Sequence, residues 1–208
     1  MHHKTFIGVI AALSASGRPS KSIVSIQREL ERKPRDVGAQ ADLARAYFYA
    51  DRLPEAVVQA RRAYAIEPSH LAARCWLVHI LALSGGHDEA IELGENFLRG
   101  APGEPLFLAV LGISYAKAGR EADARAVLKR MQDAVNRQGK LPYMQAQVLA
   151  HLGDVEAAID ALETAVGDGN YNVVNLNVDP SLRALYGNVR FVALLNQLGL
   201  RAISPDQA

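Results

Sequence analysis

The feature that most constrains this 208-residue chain is a repeat of 34 residues. Ala56, Ala90 and Ala124 stand 34 apart, and one step back falls Ser22. Pro34, Pro68 and Pro102 keep the same period. Five residues before each small residue come Gly17, Asp51, Gly85 and Gly119; twelve before come Ile10, Ala44, Val78 and Gly112. A fifth unit continues with Gly153 and Ala158. A period of this length signals stacked supersecondary units, because one unit cannot bury its apolar face alone.

The residue types within the period say what each unit is. Small residues at fixed positions let two helices approach closely, where larger ones would overpack. Glycine between the helices supplies the positive φ that ends a helix. Proline after the second helix stops it and biases the preceding residue away from helix. Pro54 is no exception, since the first turn of a helix tolerates its missing donor. The pattern predicts helices at about 4–16, 20–32, 37–50, 54–66, 71–84, 88–99, 105–118, 122–136, 141–152 and 156–166. Composition agrees: 50% of residues are hydrophobic but only 6% aromatic, with alanine and leucine making up the difference, a helical bias.

These units resemble the tetratricopeptide repeat family, whose pattern is a 34-residue helix–turn–helix. The second unit supplies Leu43, Ala44, Tyr47, Ala56, Ala63 and Pro68, and the third Leu77, Val78, Leu81, Ala90, Phe97 and Pro102. The fourth supplies Leu111, Gly112, Tyr115, Ala124 and Met131 without a closing proline, and the fifth Ala146, Leu149, Ala158 and Ala165. The first supplies Val9, Ile10, Leu13, Ser22 and Pro34, with Glu29 where a small residue is expected. The resemblance implies an all-α fold: a right-handed superhelical α-solenoid with a C-terminal capping helix. It divides the chain into residues 1–170, holding five units at about 3–36, 37–70, 71–104, 105–138 and 139–170, and residues 171–208.

The last segment abandons the repeat. Asp179-Pro180 is a capped helix start, Gly187-Asn188 a break, and Phe191, Leu194, Leu195 and Leu198 one apolar stripe. A terminal repeat needs a cap, and this segment is expected to be it. It also resembles a tail of bacterial tetratricopeptide domains, through Leu176, Asp179, Pro180, Leu182, Arg183, Arg190, Phe191, Leu195, Leu198, Gly199 and Leu200. Such domains are often fused to winged-helix regulators, cyclases or kinases, which implies a signalling or assembly context.

Residues 1–17, with a basic start and an apolar run from Phe6 to Leu13, resemble a secretory signal peptide. The run is too short to span a bilayer. Gly17, Ser22 and Pro34 nevertheless keep register with the later units, as a first repeat requires. The expected compartment is the cytoplasm, or the periplasm if the N-terminus is a signal.

Chemistry is thin. The 23 Lys+Arg nearly balance 22 Asp+Glu, giving no footprint for nucleic acid and pointing to a protein partner recognised by shape and a few charges. One cysteine makes no internal disulfide. Cys75 and His79 share a helix face, but a closed zinc site needs four ligands, so neither metal nor other cofactor is expected. Phosphate loop, dinucleotide fingerprint and nucleophile elbow are all missing. The expectation is a non-enzymatic protein–protein interaction scaffold, binding a peptide or protein segment in its concave groove. The alternative is a regulatory or sensor module of a bacterial signalling system. The resemblance implies that the first helix of each unit lines the groove, with Arg45, Phe48, Tyr49, Cys75, His79, Ile113, Lys117, Tyr143 and Gln147 as lining residues. Arg45 and Ala41 stand where chaperone-clamp members carry asparagine and lysine, which argues against that partner. Trp76 is expected to pack between helices.

Overall fold

The computed structural model describes residues 19–138 and 141–201; the helix expected at 4–16 lies outside them. All regular structure among the described residues is helical. The helices are α1 (Pro19–Arg32), α2 (Val37–Tyr49), α3 (Leu53–Ile66), α4 (Leu71–Leu83), α5 (His87–Gly100) and α6 (Pro105–Lys117). They continue with α7 (Glu121–Gln138), α8 (Pro142–Leu152) and α9 (Val155–Gly167), then α10 (Val189–Gln197). Two 3-10 helices, Tyr171–Asn175 and Pro180–Leu185, stand between α9 and α10. The helix expected to start at Asp179-Pro180 is thus of the tighter 3-10 type, which suits so short a piece.

The repeat register is written in burial. Its small position reads Ser22, Ala56, Ala90, Ala124 and Ala158, each 0% exposed. Helix ends follow the same rule. After α2, α4, α6 and α8 the residues at positive φ are Asp51 (58°), Gly85 (93°), Gly119 (74°) and Gly153 (80°). Each turn closes with a bond from the next N–H to the carbonyl five residues back: Arg52 to Tyr47 at 2.9 Å, Gly86 to Leu81 at 2.9 Å, Arg120 to Tyr115 at 2.9 Å and Asp154 to Leu149 at 3.0 Å. This is the Schellman pattern, which satisfies carbonyls that a helix end would otherwise leave unpaired.

The described chain forms two compact units. One holds residues 19–76 and 174–201; the other holds residues 77–173. In the first, α1 and α3 both pack on α2. The Asp36 carboxylate caps α2 by accepting from the Ala39 N–H at 3.0 Å. Eleven of the 13 residues of α2 are buried, so α2 is covered on nearly every side. The C-terminal segment belongs to this same unit, with Leu176, Leu182, Leu185 and Phe191 buried. Asp179 caps its second 3-10 helix, accepting from the Ser181 N–H at 2.9 Å, and Asn188 caps α10 through the Arg190 N–H at 2.9 Å.

In the second unit, α6 packs against α5, α7 and α8, and α8 also against α7 and α9. Close approach there depends on glycine. A Cβ on Gly112 would meet two Val148 methyls at 3.1 and 3.2 Å and a Val127 methyl at 3.2 Å. Phe97 of α5 and Phe107 of α6 join across the pair with ring centroids 5.3 Å apart.

Candidate protein-interaction site

The site is best built from α2, whose sequence places charge among apolar residues. Asp42 and Arg45 lie three apart, on one face. The Arg45 guanidinium is 2.9 Å from the Asp42 carboxylate, and its side chain is only 15% exposed. The Arg45 Nε finds no acceptor among the described residues. A buried charge pair is costly to form and costlier to break by removing one partner.

One turn further on, Phe48 and Tyr49 meet Trp76 of α4 in an aromatic cluster. Ring centroids lie 5.4 Å apart for Phe48–Tyr49, 5.6 Å for Phe48–Trp76 and 5.9 Å for Tyr49–Trp76. Edge and tilted geometries of this kind add to the gain from burial. Phe48 is fully buried and Tyr49 nearly so.

The other expected lining residues are mostly withdrawn from solvent as well. Cys75 and His79 are buried, and burial holds the His79 imidazole neutral, its pKa lowered to about 4. In the second unit, Ile113 and Lys117 lie on α6, and Tyr143 and Gln147 on α8, two helices in direct contact. Ile113, Tyr143 and Gln147 are buried, and Lys117 is exposed. The structure therefore gathers Arg45, Phe48 and Tyr49 in the first unit, and Ile113, Lys117, Tyr143 and Gln147 in the second. Among the described residues no group of three or more His, Cys, Asp and Glu side chains could hold a metal ion. None of the described helices is long and apolar enough to cross a membrane.

Two features escaped sequence reasoning. The first is Asp42 as the partner of Arg45; the i,i+3 spacing was a usable signal. The second is an ion pair between Asp51, in the α2–α3 turn, and Arg183 of the C-terminal segment, at 2.5 Å. Its only trace in the sequence is an aspartate where the neighbouring turns carry glycine. Beside it, burial and the Asp179 charge push the Tyr186 phenol up; its hydroxyl donates to the Asp179 carbonyl at 3.4 Å.

Helix pairs repeating in register, with a fully buried small residue at the same position of five successive units, define a helical-repeat interaction scaffold. Residues 42–105, 78–139 and 111–173 each match the tetratricopeptide repeat family, and the chain belongs to that family. No curated protein matches it significantly. Among solved structures it is similar to a thermophilic tetratricopeptide repeat protein of Thermus thermophilus, with 20% identity, a TM-score of 0.63, and coverage of 93% of this chain and 99% of that one. A second is MamA from Desulfovibrio magneticus, residues 41 to the end, with 15% identity, a TM-score of 0.51, and coverage of 79% and 93%. A tetratricopeptide repeat protein of Parabacteroides merdae shares 12% identity at a TM-score of 0.51, covering 97% and 80%. At these identities the likeness is one of fold: a helical-repeat solenoid.

Proposed function

We propose that this chain is a non-enzymatic scaffold that grips a peptide or protein segment along the inner helices of its repeats. The observation that carries the reading is Arg45, a guanidinium largely withdrawn from water whose Nε has no acceptor among the described residues. Buried donors are normally satisfied, and arginine pairs strongly with carboxylates and carbonyls. Phe48 and Tyr49, one turn further on, belong to the proposed set; both are buried and packed on Trp76, so they support the site from within rather than touching a partner. Lys117, exposed on α6, offers a second cation, with Ile113 on the same helix and Tyr143 and Gln147 on α8 of the same unit. Cys75 and His79, both buried, complete the proposed set.

The neutral pair of substitutions Asp42→Asn with Arg45→Gln removes both buried charges at once and leaves a polar amide at each position. Partner recovery by affinity capture is expected to fall at least tenfold for this double variant, and measurably for Lys117→Glu. Equal recovery by wild type and both variants, with circular dichroism showing all three folded, would overturn the reading.

A second reading, a regulatory module of a signalling system, is favoured by one observation. The C-terminal segment shares the first unit with α2 and is tied to it by Arg183 and Asp51. That arrangement gives the repeats an internal contact that a signal can alter.

A further inference from the structure

Asp51 departs from the rule of its own repeat. The equivalent residues are Gly85, Gly119 and Gly153, all at positive φ. Asp51 adopts φ 58° as well, the only non-glycine residue in that region among those described. A Cβ is sterically disfavoured there, and aspartate is among the few residues that tolerate it. The turn itself does not use the carboxylate, since the same backbone bond closes over Asp51 and over the glycines. A residue that breaks a local rule points to a role beyond its own turn.

The carboxylate's partner is Arg183, 2.5 Å away on the 3-10 helix Pro180–Leu185. That helix is braced within its own segment. Asp179 caps its start by accepting from the Ser181 N–H at 2.9 Å. At its end the Tyr186 hydroxyl returns to the Asp179 carbonyl at 3.4 Å. The Tyr186 ring stacks on Phe191 of α10, with centroids 5.8 Å apart, and Leu182, Leu185 and Phe191 are buried. Arg183 is thus joined to α10 through Tyr186 and Phe191, so residues 179–197 are built to move as one piece. The ion pair is a part of their attachment that water reaches, its side chains 42% and 39% exposed.

We propose that Asp51–Arg183 is a charge-operated clasp. It fastens the C-terminal segment to the α2–α3 turn, and residues 179–197 open together more often when either charge is neutralised or screened. The clasp deepens the regulatory reading and rests on it in one respect, that the segment and α2 belong to one unit. An exposed pair shifts an opening equilibrium only severalfold. It therefore tunes how often the segment opens and does not decide whether the chain folds. Opening of this kind is local, and its frequency is set by the weakest attachments. The signal it answers is ionic, because salt screens exposed charges far more than buried ones.

Hydrogen exchange of the full chain tests this at the amides of Leu182, Tyr186 and Val192, which donate to the carbonyls of Asp179, Arg183 and Asn188. Asp51→Gly and Arg183→Gln are each expected to speed exchange there about two- to fivefold, the range an exposed ion pair supports. The double variant should exchange no faster than either single, because one interaction is lost only once. Asp51→Gly also returns the turn to the residue its backbone favours. Its urea midpoint should therefore equal or exceed that of wild type while the segment opens more often, a combination that a merely structural contact does not give. Raising NaCl to about 0.5 M should speed exchange in wild type and leave the double variant unchanged. Unchanged exchange in the single variants, or single effects that add in the double, would sink the clasp. Leu182→Ala keeps that failure apart from failure of the regulatory reading. Lower protection of α2 in this variant upholds the shared unit even where the clasp falls. Protection of α2 that Leu182→Ala leaves intact removes the shared unit, and the regulatory reading with it.

Discussion

At the scale of single residues, the two informative positions are a histidine and a glycine. His79 is neutral when folded because burial disfavours its charged form, with a folded pKa of about 4 against 6.5 for an exposed imidazole. The unfolded chain therefore takes up a proton as pH falls below about 6.5, and the folded chain does not until about 4. Stability from this group is complete above about pH 7 and is lost on acidification through that window. Between pH 7.5 and 5 the loss is about 2 kcal/mol, readable as a drop in the urea midpoint. A His79→Leu variant is expected to lack that drop. Gly112 makes the opposite point, that space is the constraint. Alanine gains about 1 kcal/mol of helix propensity over glycine. At Gly112 the new methyl would press on Val148 and Val127 at 3.1–3.2 Å. Both are β-branched and stiff, so overpacking of about 1–3 kcal/mol wins. Gly112→Ala is expected to destabilise by about 1 kcal/mol. At Gly94 the nearest atom is the flexible Leu111 Cδ1, at 3.1 Å. Gly94→Ala should come out neutral or slightly stabilising in the same urea assay.

At the scale of elements, the helix pairs share a polar device as well as an apolar one. The Tyr47 hydroxyl accepts from the Gln27 amide at 3.1 Å, with the Arg52 guanidinium 4.7 Å from the ring centroid. Two repeats later the Tyr115 hydroxyl donates to Glu95 at 2.6 Å, with Arg120 4.5 Å from its ring. Burial and Glu95 push the Tyr115 phenol up to about 12. Tyr115→Phe removes the tie between α5 and α6 and should cost about 1–2 kcal/mol by chemical denaturation, because a charged acceptor loses its donor. The C-terminal segment is the other element with a measurable stake. Leu182→Ala deletes a fully buried side chain and should cost about 2–5 kcal/mol. Val189→Ala, on the same segment but 83% exposed, should stay within about 0.5 kcal/mol. Equal losses from the two would mean that the segment is not packed as described.

At the scale of the molecule, a near-zero net charge conceals a division. Residues 1–76 and 174–208 hold 15 Lys+Arg against 9 Asp+Glu, whereas residues 77–173 hold 8 against 13. The first unit is thus +6 and the second −5. Fields of this kind act through the local excess and not through the sum, and salt screens them over about 10 Å at 0.1 M. The protein should be retained at pH 7.5 and low salt on both cation- and anion-exchange resins, and released from each by moderate salt. Passage through both, as expected of an evenly charged protein with net +1, would contradict the division.

The helices, their turns and the small contact positions were legible in the sequence because they are local. A 34-residue period, a glycine at three of the four left-handed turns within the helix pairs and a small residue at each repeated contact position fix one unit, and repetition fixes the rest. The candidate site was legible as a set of repeat positions, from Arg45 and Phe48 to Tyr143 and Gln147. Its state was not, because burial depends on what else packs there. Nothing in the spacing of residues 174–201 says which repeats they join, or that Arg183 meets Asp51. Those contacts span most of the chain, and sequence periodicity reports only neighbours. The sequence by itself therefore determined the repeat and its family. Only the tertiary structure decided that α2 is covered on nearly every side in a unit shared with the chain's own C-terminal segment, because apolar residues from opposite ends of the chain leave water together.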